Sequence, residues 1–243
     1  MAFIRDVIKS FDASDELGKV QREAVEALAE LGLSKAKNFE LEITEKLQNA
    51  GSGSNLTIPV TAVIRSLSDV RAYSASSAQY IGETVKKALK SFIKGTSEDI
   101  IGGVGEIISG VISVFLGESA ASSGEVSQYY VTTEGLSIVR IDMKAWYLNV
   151  SSKSIFEKME RVTAVVAVKS VVDLKKLDFA TFLNLYQDML NQTKLTTEQI
   201  KLALEQAKLI YKDFNEIDKL NNSMALLSKN PKSNKKIEAL ENE

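Results

Sequence analysis

The segment that most constrains this chain is RVTAVVAVKSVVDL, Arg161 to Leu174. It is apolar on both faces and rich in β-branched valine. A strand of that kind belongs at the centre of a sheet, with apolar cover above and below it. The remaining elements therefore have to supply neighbouring strands and covering helices. SQYYVTTEGLSIVRIDMKAWYLNVSS, residues 127–152, reads as a hairpin turning near Glu134 and Gly135. In its second strand Val139, Ile141, Met143, Ala145 and Tyr147 share one face. Arg140, Asp142 and Lys144 share the other, which the alternation assigns largely to water. LTIPVTAVIRS, residues 56–66, supplies a fourth strand with Leu56, Ile58, Val60, Ala62 and Ile64 in line. Pro59 cannot donate to a ladder, so this strand lies at an edge or carries a bulge.

The covering helices are legible by their apolar spacing. Phe3, Ile4, Val7, Ile8 and Phe11 make a short stripe. Ser14 caps a helix with Leu17, Val20, Ala24, Leu28 and Leu31 on one face, and Gly32 stands where a helix-ending glycine belongs. Ser34 then opens a second helix, with Ala36, Phe39, Ile43 and Leu47 in line and Gly51 as its stop. Ala78, Ile81, Val85, Leu89 and Phe92 form another stripe, ended by Gly95. A short helix is expected from Phe179 to Asn191. Thr196 and Gln199 make a capping box for a longer one through Ile200, Ala203, Ala207, Ile210, Phe214 and Ile217. The expected fold is α+β, with about four mainly antiparallel strands surrounded by helices. Residues 1–227 make one domain, and 228–243 a polar, mobile tail.

The chain's 243 residues include no histidine and no cysteine. Ser-His-Asp and Cys-His nucleophiles, His- or Cys-built zinc sites, iron–sulfur clusters and thiol redox chemistry are thereby excluded. The chain reads as non-enzymatic, with no catalytic residue, no cofactor and no metal assigned. Net charge is −2, without a basic patch interleaved with aromatics, so nucleic acid is not an expected partner. The N-terminal residues carry Arg5, Asp6 and Lys9 and lack the apolar core of a secretory signal. Synthesis in the cytoplasm follows as the expectation, with any release to a target membrane by a non-classical route.

One further stretch stands apart: TSEDIIGGVGEIISGVISVFLGESAASSG, Thr96 to Gly124. Glycine inside a helix costs roughly 0.5–1 kcal/mol relative to alanine, yet here it recurs through the most apolar helix of the chain. On a helical wheel Ile100, Val104, Ile107, Val111 and Val114 form a seam, with Ile101, Ile108 and Phe115 beside it. Gly105, Ser109, Ser113 and Gly117 recur every fourth residue. Such small-residue stripes let two helix backbones approach closely, as helices do in membranes. The same stripe equally suits a helix buried against the sheet.

Ile100 to Leu116 spans about 25 Å as a helix, just short of the ~30 Å hydrocarbon core. Its Ile, Val, Leu and Phe residues favour insertion by roughly 3–6 kcal/mol. Glu106 opposes that by a few kcal/mol, so the balance lies near zero. Such a helix, spanning 97–117, is latent: buried in water and able to enter a bilayer on a trigger. Helices around a small sheet with one latent apolar segment are similar, as a class, to small bacterial pore-forming toxins and virulence factors. The resemblance implies a lipid membrane and further copies of the chain as partners. A self-associating structural protein and a carrier of a small lipid or ligand are the other readings.

The lesser features are weaker. Lys86, Lys87, Lys90 and Lys94 could meet anionic headgroups or simply face solvent. Tyr129, Tyr130, Trp146 and Tyr147 are aromatic, but alternation places Tyr129 and Tyr130 on opposite faces, which favours core filling. Asp142 and Glu157 have no spacing that would make them a catalytic pair.

Overall fold

A computed structural model of the chain describes residues 16–52, 57–73, 81–93, 112, 115–116, 121–134, 137–150 and 159–191. Within 197–216 it also describes 197–198, 200–201, 204–205, 207–209, 211–212 and 215–216. The stripe at Phe3–Phe11 and the tail at 228–243 lie outside these residues. The elements are α1 (Glu16–Gln48), β1 (Val60–Tyr73), α2 (Ile81–Ile93), β2 (Ser123–Glu134), β3 (Ser137–Asn149), β4 (Arg161–Val172) and α3 (Phe179–Asn191). The fold is α+β. Its four strands form one antiparallel sheet in the order β1-β4-β3-β2.

The valine-rich β4 is central, as its two apolar faces require, and nearly every residue in it is buried. Val162, Ala164, Val166 and Val168 meet the α1 layer; Val165 and Ala167 meet the layer built on α2 and α3. β2 and β3 form the expected hairpin, with Glu134 paired to Ser137.

α1 corrects the expectation of two helices. It runs unbroken for 33 residues, about 50 Å, through Gly32. Gly51, with a φ of 80°, is the glycine in the left-handed region that follows it. Gly32 serves a close approach instead. A Cβ there would stand 2.8 Å from Val70 Cγ1 and 3.1 Å from Val162 Cγ1, so the helix rests on β1 and β4 at its missing side chain. The buried line of α1 is accordingly Val25, Gly32, Ala36, Phe39, Ile43 and Leu47. Val20 and Leu31, expected on that line, are exposed, while Ala24 and Leu28 pack at its margin.

On the opposite face lie Val85, Leu89, Phe92 and Ile93 of α2 and Phe182, Tyr186 and Leu190 of α3. Asp178 caps α3, its carboxylate accepting from the Thr181 amide at 2.9 Å and the Thr181 hydroxyl at 2.6 Å. Those bonds hold the Asp178 carboxyl below its ordinary pKa. Ala207 and Tyr211, on the helical turns after α3, are buried in the same cluster. The Tyr211 ring lies 5.8 Å from Phe182, and its hydroxyl donates to the Leu177 carbonyl at 2.8 Å.

Candidate functional site

Of the residues expected to enter a membrane, Phe115 is described; Ile100, Ile101, Val104, Ile107, Ile108, Val111 and Val114 lie outside the described residues. So do Gly105, Ser109, Ser113 and Gly117. The end of the segment nonetheless has a defined seat. Ile112, Phe115 and Leu116 are helical and pack on the sheet face opposite α1. Ile112 and Leu116, which the wheel left off its apolar seam, are buried, Leu116 completely. Phe115 meets the Tyr147 ring edge-on, with centroids 5.2 Å apart.

Two β4 cations bracket the segment. The buried Arg161 donates through Nη1 to the Leu116 carbonyl, and through Nε to Asn149 Oδ1 at 2.6 Å. Its guanidinium lies 5.0 Å from the Tyr147 ring centre. Burial pushes Arg161 below its ordinary pKa, against the opposing charge of Glu160. Asn149 in turn donates to the Ala121 carbonyl at 2.7 Å, fixing the chain just beyond the segment. Gly124 makes room for this arrangement, since a Cβ there would sit 2.7 Å from Tyr147 Cε1. Eight residues along β4, buried Lys169 donates to the Ile93 carbonyl at 3.4 Å, at the C-terminal end of α2. A cation there complements the helix dipole. The chain between Ile93 and Leu116 is thus tied to β4 at both ends.

The α1 face carries a correction. Arg140, Asp142 and Lys144, expected to face water, are all buried. Arg140 Nε donates to Asp142 Oδ2 at 2.8 Å, and Nη2 to Oδ1 at 2.7 Å. Its Nη1 reaches the Ile58 carbonyl at 2.7 Å and Thr57 Oγ1 at 3.3 Å, and the guanidinium lies 4.3 Å from the Tyr129 ring centre. Lys144 bonds Glu42 of α1 and pairs with Glu125 of β2 at 3.0 Å. Lys35 of α1 reaches Glu125 at 3.4 Å. Burial pushes the Asp142 carboxyl above its ordinary pKa, and the bonds and charge of Arg140 hold back that rise. Burial also acts upward on Glu125, but Lys144 and then Lys35 outweigh it and leave Glu125 below its ordinary value. The physical reason for the correction is charge matching: signs alternate along one face of β3, and α1 and β2 supply the remaining carboxylates.

A cleft of about 530 Å³ opens above this row, lined by Arg140 and Asp142, by Lys46 of α1 and by Asn49 just after it. Its polar groups bond one another. Lys46 donates to Ser127 Oγ at 3.1 Å, and Ser52 Oγ to the Asn49 carbonyl at 2.8 Å. Arg140 and Asp142 in its lining are a matched pair, which makes it the seam joining α1 to the sheet.

Tyr130 and Tyr147 fill the α2–α3 face, and Trp146 the α1 face, so the aromatic group is divided between two cores. Lys87 is exposed; Glu157 and Lys94, and the side chains of Lys86 and Lys90, lie outside the described residues. Among the described residues no helix is long and apolar enough to cross a membrane. Fold and site define a class: an open antiparallel sheet between two helical layers, each packed on it through an apolar cluster, with ion pairs added on the α1 side. Compared with protein-family models, curated proteins and solved structures, the chain matches none.

Proposed function

We propose that this chain is a non-enzymatic, membrane-interacting protein whose apolar segment at 97–117 rests on the sheet in water and enters a bilayer on contact. What supports the reading is the pair of ties. Arg161 holds the Leu116 carbonyl and Lys169 the Ile93 carbonyl, so the most apolar stretch of the chain is bracketed by two polar contacts. Breaking them requires no core strand to separate. Released, the segment offers its Ile/Val seam to lipid and its small-residue stripe to another copy. The near-zero insertion balance fits a triggered entry in place of a constitutive span.

The test uses the absence of cysteine. Phe115→Cys creates a single labelling position for an environment-sensitive fluorophore, while Trp146, the one tryptophan, reports on the α1 face. Added to dye-loaded phosphatidylcholine/phosphatidylglycerol vesicles, the labelled protein should blue-shift and release dye. Arg161→Met should lower the lipid concentration required, and Gly105→Leu/Ser109→Leu should abolish leakage. Absence of both partitioning and leakage, from acid to neutral pH and with zwitterionic and anionic lipid, refutes the proposal.

A further inference from the structure

β1 is an outermost strand, hydrogen-bonded on one side to β4, and among the described residues nothing pairs with its other side. It is 14 residues long, and its first half is exposed on both faces. Val63 and Ile64 are 57% and 53% exposed. A long apolar edge of this kind is a template for another strand unless something blunts it. Here the blunting is confined to one end: Pro59 precedes the strand, and register shifts fall between Val60 and Ala62 and between Val63 and Arg65. From Arg65 onward the ladder to β4 is regular.

We infer that β1 pairs antiparallel with β1 of a second copy about a two-fold axis at Leu67, joining two sheets into one of eight strands. The charges on the strand, with the length of strand that can pair, select both occupant and register. Arg65, Leu67, Asp69 and Arg71 point to the same face, the one opposite α1, as their β4 partners do. A two-fold at Leu67 sets each Arg65 against Asp69 of the other copy, twice over, with the Leu67 side chains meeting on the axis. Moving the axis to position 65 sets arginine against arginine, to 69 aspartate against aspartate, and to 68 Arg65 against Arg71. An axis at Val70 matches Asp69 with Arg71 but pairs only residues 67–73, about half of what the axis at Leu67 pairs. Asp69 already accepts from Arg71 Nε at 2.8 and 2.9 Å, and Arg65 has no ion-pair partner among the described residues. The pairing supplies one. It also closes on itself at this edge: a two-fold contact uses both β1 edges at once. The contact is built from β1 residues, so its test is independent of membrane activity.

Charge reversal tests the register directly. By sedimentation equilibrium the full chain should form a species of twice its 26.7 kDa mass. Arg65→Asp sets aspartate against aspartate, and Asp69→Arg sets arginine against arginine. Each should raise the dissociation constant about tenfold or more, since like charges directly opposite repel. Mixing the two variants restores both opposite-charge contacts, so a heterodimer should form with near wild-type affinity. Recovery on mixing also shows that neither variant was merely misfolded. A monomeric wild type at submillimolar concentration, single reversals that leave dimerisation unchanged, or a mixture that stays monomeric each overturns the inference.

Discussion

Removing Asp142 should be among the most damaging single changes on the α1 face, and removing Arg140 with it should largely cure the damage. Arg140 is 1% exposed, and two of the four hydrogen bonds it donates go to Asp142. In Asp142→Ala the guanidinium stays charged, because arginine does not shed its proton in proteins. It keeps Thr57, the Ile58 carbonyl and the Tyr129 face, and loses the buried carboxylate that neutralises it. Breaking a buried pair in this way costs about 3–5 kcal/mol. Arg140→Met differs in kind, since the stranded carboxyl can take up a proton. Asp142 is already above its ordinary value through burial. Without Arg140 it rises further, so the native state binds a proton the unfolded state has released. Stability of Arg140→Met, relative to wild type, should therefore fall as pH rises from the ordinary aspartate value toward neutral. The deficit of Asp142→Ala should show no such recovery in acid. The double variant Arg140→Met/Asp142→Leu replaces the pair by apolar groups and should lie within about 1–2 kcal/mol of wild type. Urea titration followed by Trp146 fluorescence reads all four proteins. A double-variant cost equal to the sum of the singles, or an Asp142→Ala cost below about 1 kcal/mol, would refute the reasoning.

Two further predictions follow from the same layer. Gly32→Val should destabilise by about 2 kcal/mol in urea titration despite valine's better helix propensity, because its Cβ would stand 2.8 Å from Val70 Cγ1. Glu125 has a lowered folded pKa, so its contribution is present above the ordinary glutamate value and lost as pH falls through the folded one. Glu125→Gln should thus flatten the acid limb of the stability profile by less than about 1 kcal/mol, measured as the change in urea midpoint with pH.

Much of the architecture was legible because single residue types carried it. The valines of β4 required two covered faces, Glu134–Gly135 marked the hairpin, and Gly51 ended a helix where its φ of 80° permits. Gly32 misled because glycine has two uses that local sequence does not separate: ending a helix and admitting a neighbour. The decisive neighbours, Val70 and Val162, are remote in sequence. Alternation likewise failed at Arg140, Asp142 and Lys144, since it tells a charged face from an apolar one but says nothing of what lies above it. Their plus, minus, plus order was the available signal, for a face that neutralises itself can be buried. β1 departed from its expected single apolar face where bulges reset the register. As for the candidate site, the apolar segment was visible, but its seat at Ile112 and Leu116 and its ties to Arg161 and Lys169 were not. Those ties join β4 to carbonyls, which no side-chain pattern encodes.

Both layers pack on the sheet through apolar clusters, but α1 adds ion pairs to its own, and this bears on which could leave the sheet. α1 joins it partly through ion pairs among Lys35, Glu42, Glu125 and Lys144, which acid and salt weaken. The opposite layer is held by an apolar cluster in which Phe182, Tyr186 and Leu116 are buried, and apolar contacts persist through such changes. A bilayer reverses that ranking. It competes for apolar surface and offers ion pairs nothing better than the protein does, so under the proposed function the α2–α3 face, whose apolar cluster is the larger, is the one to be drawn apart. The ionic seam would then hold α1 to the sheet and keep one face folded while the other opens. Acid or high salt in bulk water should accordingly perturb Trp146 before a label at position 115, and lipid should reverse the order. The same order under both treatments would remove the physical basis for assigning the 97–117 segment to the membrane.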